Sequence, residues 1–198
     1  GGVGGVENTA LGQYALKANT NGADNTAIGY FTMPLNTLGA NNTAIGSSNL
    51  NNNTTGSANT SIGRLALTLN TTGGANTAIG VSALGTNRTG ANNTAIGFGA
   101  DVASNNLTNA TAIGNGAVVT ASNTIQLGNT SVSTVNTSGG ITAGGTITAN
   151  SAVFTNTTIS GDENVTGHAN FTSDIKVNNA TVGLGAGGYT SNAVFGKD

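Results

Sequence analysis

The chain of 198 residues carries 32 Gly, one Pro, no Cys and only 6% charged residues, for a net charge of -2. Its five basic residues, Lys17, Arg64, Arg88, Lys176 and Lys197, form no patch able to neutralise several phosphates, which speaks against a nucleic-acid partner. No run of 18 apolar residues is present to insert in a membrane, and the lack of Cys excludes a disulfide scaffold.

Ala inflates the 36% apolar fraction and aromatics are only 4%, so a conventional globular core would be thin. The signature of disorder is incomplete as well, because charge is scarce and Pro34 stands alone. Internal repetition is what distinguishes the chain.

From the N-terminus, one aliphatic residue recurs every 17 positions without insertion: Leu11, Ile28, Ile45, Ile62, Ile79, Ile96 and Ile113. Thr keeps the same phase two residues earlier, and Gly follows the aliphatic residue in every copy. A second apolar column lies five residues on, at Leu16, Met33, Leu50, Leu67 and Leu84, resuming at Val118 after a slip near Asp101. A second Gly column runs through Gly22, Gly39, Gly56, Gly73 and Gly90. The consensus is N-T-A-I-G-x-x-A-L-x-x-N-T-x-G-A-N.

The alternation Thr-Ala-Ile puts Ala on one face of a short strand and its neighbours on the other. Gly after Ile permits a sharp bend, and Gly or Asn at the second site permits positive φ. Two bends per repeat predict two short strands per coil. Stacked coils then place like residues in file about 4.8 Å apart, with Asn and Thr columns free to hydrogen-bond along the stack. This is a β-solenoid head over residues 1–128, whose last coil is shorter: Ile113 to Leu127 spans 14 residues. The two apolar columns are its expected structural core. One Ile and one Leu per coil bury too little to offset the ordering of the whole coil, so three chains sharing apolar faces are inferred, a homotrimer.

Beyond Gly128 a six-residue period takes over: Val135, Ile141, Ile147, Val153, Ile159, Val165, Phe171 and Val177. Six is even, so all of them fall on one face of an extended chain. Residues 129–182 therefore read as a β-helical stalk with these residues as its core, three interwound chains suiting one large apolar residue per hexad. Residues 183–198 are a Gly-rich junction in which GLGAGGYTSNAVFG repeats the character of the opening GGVGGVENTALG, as though a next head were starting. A longer parent fibre is expected.

NTAIGSSNL, NTAIGVSAL and ATAIGNGAVVTASNTIQLGN resemble the head repeats of trimeric autotransporter adhesins, and more closely the head-like repeats of bacteriophage tail fibres. VNNATVGLGAGG looks like the stalk-to-head junction of such fibres. The resemblance covers residues 7–128 well and 129–198 loosely. It implies an all-β, left-handed, parallel β-roll trimer serving attachment, with other fibre or tail proteins and a host surface glycan or protein as partners. The location it implies is a virion tail fibre or a cell surface. The 17-residue coil departs from the adhesin heads, which use shorter repeats like the one at Ile113.

No catalytic constellation is present, and no cofactor or metal is expected. His168 is the only His, and Asp162 and Glu163, the only adjacent acids, point to opposite faces of an extended chain, a poor acid/base pair. No Asp column recurs by coil, which excludes Ca²⁺-binding nonapeptide repeats. The N-x-S/T sequons, such as those at Asn52, Asn70, Asn87 and Asn92, follow from composition alone. Tyr14, Tyr30, Phe31 and Phe98 fall just after the Ile-Gly bend, where they either pack coil edges or line a sugar-binding strip. The expected function is a non-enzymatic fibre module for attachment. A bacterial surface adhesin, an ice-binding β-solenoid and a tailspike-like glycan hydrolase are the alternatives.

Overall fold

The computed structural model describes residues 6–138 together with Ala143. These residues hold ten short strands and no helix: β1 (Thr9–Leu11), β2 (Thr26–Ile28), β3 (Thr43–Ile45), β4 (Thr60–Ile62), β5 (Thr77–Ile79), β6 (Thr94–Ile96), β7 (Asp101–Val102), β8 (Thr111–Ile113), β9 (Val118–Val119) and β10 (Ile125–Leu127). Eight of them form one parallel sheet in the order β1-β2-β3-β4-β5-β6-β8-β10, and β7 pairs with β9. Each rung lies in register with the next, Thr on Thr and Ile on Ile, at a step of 17 residues from Thr26↔Thr43 to Thr94↔Thr111. The last step shortens to 14, with Thr111 opposite Ile125 and Ile113 opposite Leu127. The chain is an all-β parallel solenoid of about seven turns, the architecture expected from the repeat.

The interior follows from the alternation within each strand. Ala27, Ala44, Ser61, Ala78, Ala95 and Ala112 point inward and are fully buried. Opposite them sits the second apolar column, with Met33, Leu50, Leu67 and Leu84 fully buried and Leu16 half-buried at the first coil. A narrow coil has room for one large side chain only if its opposing strand offers a small one, which accounts for the Ala rank.

Val118 corrects the expectation. It is 44% exposed, and Val119 (1%) and Val102 (2%) take the inward place instead. The cause is a change of backbone. Leu16, Met33, Leu50, Leu67 and Leu84 all hold positive φ, between 46° and 51°, whereas Asp101 and Val118 are extended and form β7 and β9. Extension shifts the inward-facing side chain by one residue. The same feature corrects the expectation of two strands per coil. Left-handed residues at Leu16 and its equivalents break a second strand in the early coils, so each has one.

The second Gly column also has a different cause from the one expected. Gly22, Gly39, Gly56, Gly73 and Gly90 do not need positive φ; a Cβ there would land on the carbonyl of the next coil and on an Asn Oδ1. Positive φ occurs two residues later instead, at Asp24, Asn41, Ala58, Ala75, Asn92 and Asn109.

Two buried asparagine ladders run along the stack. In one, Asn36 donates from Nδ2 to Asn19 Oδ1 at 2.9 Å, and Asn53, Asn70 and Asn87 repeat this at 2.9, 2.8 and 3.1 Å. In the other, Asn42 donates both its backbone N–H and Nδ2 to Asn25 Oδ1 at 3.0 Å, and Asn59 does the same to Asn42. Both ladders converge on the Gly column: Gly56 O accepts from Asn42 and Asn53, each at 2.9 Å. The Gly must be bare because its carbonyl and Cα fill the gap between two amides.

Of the stalk residues, Val135 is exposed in the described chain. Ile141, Ile147, Val153, Ile159, Val165, Phe171 and Val177 lie outside the described residues, as do His168, Asp162, Glu163 and the 183–198 junction.

Candidate functional site

Two outward-facing columns carry the chemistry of this surface. The first is the aliphatic column of the strands. Ala turns inward, so Thr and Ile on either side of it turn outward. Ile45, Ile62, Ile79, Ile96 and Ile113 are each 36–40% exposed, Ile28 is half-buried, and Leu11 and Leu127 are more exposed still. These residues lie outside the interior of the coil that holds Met33 and its equivalents. They form an unbroken apolar file on the outer face of an eight-stranded sheet. A file of large aliphatic side chains shared by successive rungs is more than scattered surface apolarity.

The second column lies beyond the bend at the Gly following each aliphatic residue, where φ is 131–139° from Gly12 to Gly97 and 116° at Gly114. The residue after this Gly is Gln13, Tyr30, Ser47, Arg64, Val81, Phe98 and Asn115 in successive coils. Backbone bonds hold the column in file: Ser48 N–H donates to Tyr30 O at 2.9 Å, Leu65 N–H to Ser47 O at 3.1 Å and Ser82 N–H to Arg64 O at 2.9 Å. The next position is left-handed throughout, occupied by Tyr14 (φ 65°), Phe31 (52°), Ser48, Leu65 and Ser82, then by Gly99 and Gly116.

Three of the four aromatics singled out by the sequence come together here. Tyr14 and Phe31 meet edge to face at 4.8 Å, Tyr30 and Phe31 are tilted at 4.9 Å, and Tyr14 and Tyr30 stand 6.5 Å apart. Lys17 Nζ sits 5.0 Å from the centre of the Tyr14 ring. Phe98 stands apart, four coils further along Tyr30's column, and is the more exposed of the two. Tyr30 is 52% exposed, so coil-edge packing covers only half of it.

The Thr column expected to hydrogen-bond along the stack does so. Thr20, Thr37, Thr54 and Thr71 donate their hydroxyls to the carbonyls of Thr37, Thr54, Thr71 and Arg88 at 2.9–3.1 Å. Those hydroxyls are thereby engaged with the backbone.

Two polar features lie away from these columns. Asp101 accepts from the backbone N–H groups of Val102 at 2.8 Å and Thr86 at 3.1 Å, bracing the Gly85–Thr86 turn where the coil changes shape. Burial pushes its carboxyl above the usual range, partly offset by hydrogen bonds from Thr86 and Val102. Inside the third and fourth coils, Asn49 Nδ2 donates to the carbonyls of Ile45, Ser61 and Gly63, while Asn49 Oδ1 and Ser61 Oγ are buried without a partner. Among the described residues, no three of His, Cys, Asp and Glu come together, and no helix is long and apolar enough to cross a membrane.

No protein-family model and no curated protein sequence matches the chain.

Proposed function

We propose that the chain is a non-enzymatic module of a trimeric attachment fibre, of the kind found in phage tails, in which three left-handed solenoids bury their aliphatic columns against one another. The observation that carries this reading is the file of outward Ile side chains, in register from Leu11 to Leu127 on one sheet face. An isolated rod would leave that ridge in water. Closing it among three copies removes apolar surface from solvent along the whole length of the sheet, at roughly 25 cal/mol per Å². With only 6% charged residues the chain carries few charges to set against such a ridge. The six-residue period after Gly128 and the restarting head motif near the C-terminus support a fibre of alternating heads and stalks. Partners in this reading are sister copies, other fibre or tail proteins, and a receptor on the host surface. A bacterial surface adhesin would use the same architecture, and neighbouring genes for capsid and baseplate, or for an outer-membrane barrel, separate the two.

Light scattering tests the assembly. The expected mass is three times the 19.1 kDa of one chain, and the Ile62→Asp/Ile79→Asp double variant is expected to shift it toward monomer. A monodisperse monomer of the unaltered chain overturns the reading.

One observation favours a second reading, an ice-binding surface. The outward Thr rank of the strands, Thr26, Thr43, Thr60, Thr77 and Thr94, runs beside the Ile rank on one regular sheet. The other Thr rank has its hydroxyls committed to carbonyls and supplies no such surface. Thermal hysteresis by the unaltered chain would favour this reading, and a trimer that buries the Thr-Ile face would remove it.

A further inference from the structure

We infer that the column beyond the Gly bend, from Tyr14 to Arg64, binds a linear acidic oligosaccharide, with sugar rings on the aromatic cluster and a carboxylate on Arg64. The inference rests on the attachment reading for its biological sense, and on the column's own geometry for its chemistry.

Tyr14, Tyr30 and Phe31 supply the ring surface. Their tilted packing at 4.8 and 4.9 Å fixes each ring against a neighbour while leaving Tyr14 and Tyr30 substantially exposed. The face of a pyranose carries C–H bonds with partial positive charge, complementary to the negative face of an aromatic ring. Tyr14 and Phe31 stand at the left-handed corner that Ser48, Leu65 and Ser82 share and that Gly99 and Gly116 fill in later coils, so the rings here are set by side-chain choice on a common backbone. The Lys17 ammonium over Tyr14 adds positive charge at the edge of the cluster.

Arg64 supplies the acid recognition. It stands two rungs from Tyr30 in the same column, about 10 Å away at the rung spacing of parallel strands. Ser47, between them, offers a hydroxyl. One rung is close to the advance of one pyranose along an extended glycan, so a ring on Tyr30 leaves the unit two further on beside Arg64. Among the described residues no ion pair occupies the Arg64 guanidinium, which is exposed. A free guanidinium presents two parallel N–H donors that match a carboxylate. Neutral glycans satisfy the aromatic half of this site and leave the other half unused. A Gly with φ near 132° stands between the Ile column and this one in each of these coils.

Isothermal titration of the intact chain with tetragalacturonate, a hyaluronan tetrasaccharide and an α2,8-linked tetrasialate tests the inference, with maltotetraose as the neutral comparison. At least one acidic probe is expected to bind with Kd below about 1 mM, and maltotetraose at least tenfold more weakly. Tyr30→Ala and Arg64→Gln are each expected to weaken that binding at least tenfold, with circular dichroism and mass unchanged, while Arg88→Gln has no effect. The inference fails if none of the acidic probes binds, if maltotetraose binds equally well, or if Arg88→Gln loses as much as Arg64→Gln. A changed mass for Tyr30→Ala also overturns it, by assigning the cluster to a subunit contact. A chain that binds as expected but is monomeric would keep this site and remove the trimer.

Discussion

Asn53 donates from one amide to two acceptors, Asn36 Oδ1 in the preceding coil and Gly56 O in its own, both at 2.9 Å. Its own Oδ1 accepts from Asn70 at 2.8 Å. Every buried Asn of this ladder ties a turn within a coil to the coil before it, which is why Asn recurs with the period of the apolar residues.

Replacing Asn53 should therefore cost more than a single hydrogen bond. Asn53→Ala leaves Asn36 Oδ1 without its donor and the Asn70 amide without one of its acceptors, both in the interior. A buried polar group left unpaired costs about 1–3 kcal/mol, so a loss of about 2–5 kcal/mol is expected. Asn52→Ala, next door and half-buried, removes no described side-chain bond and should change stability by less than about 0.5 kcal/mol. Guanidinium unfolding midpoints of the two variants compare them directly.

Glycines of two kinds should respond differently to a methyl group. At Gly56 the added Cβ meets Asn53 Oδ1 and Gly73 O, neither of which can retreat without opening the stack. Gly56→Ala is expected to cost about 3 kcal/mol or more, with loss of the assembled rod as the limit. At Gly99 there is nothing within 4 Å, and only the φ of +60° opposes a side chain. Gly99→Ala should cost about 1–2 kcal/mol, and Gly99→Asn less, because Asn tolerates the left-handed region. Paired thermal melts read out the contrast.

Ser61 replaces Ala in the inward rank, between Ala44 and Ala78, and its hydroxyl is buried with no partner. Ser61→Ala restores the residue that neighbouring coils use at this place. It should stabilise the chain by about 1–3 kcal/mol, the penalty of an unsatisfied polar group. A variant less stable than the unaltered protein would mean that the hydroxyl has a partner.

Asp101 predicts the direction of one pH effect. Its folded pKa lies above the unfolded value, so the charged form opposes folding. As pH falls through the folded pKa toward about 4, the native chain takes up a proton that the unfolded chain does not, and stability rises. Asp101→Asn removes this linkage while keeping an oxygen for the Val102 and Thr86 amides. The urea midpoint of the variant should gain less between pH 7 and pH 4 than that of the unaltered chain, and start higher at pH 7.

The solenoid was legible because its period is strict. Thr-Ala-Ile put Ala on the face opposite its neighbours but did not say which face is inward. The Ile column was expected in the core, whereas within the coil Ala is fully buried and Ile45 to Ile113 are 36–40% exposed. The 14-residue step at Ile113 appears unchanged as the register of Thr111 with Ile125. What sequence reasoning missed is backbone conformation. Nothing in the preferences of Leu or Met suggests positive φ, yet Met33, Leu50, Leu67 and Leu84 adopt it. Asp101 keeps the equivalent N–H bond to the next coil, to Ala117 O at 2.9 Å, but is extended, and from there the inward place moves from Val118 to Val119. The aromatic column was visible as a position after the bend. Its alignment with Arg64 could have been found by writing the coils one above another. The αL corner that presents Tyr14 and Phe31 could not.

The Asn-to-Gly convergence makes rod length a counted quantity. Both spines have the same period as the strands, so a deletion of Thr43–Asn59 would bring Asn42 to Thr60 and rejoin every donor to an equivalent acceptor. Removing sixteen or eighteen residues would instead misalign both spines together. Such a molecule can lengthen or shorten in evolution only by whole rungs, each changing its reach by about 4.8 Å, and variation in reach among its descendants should be integral.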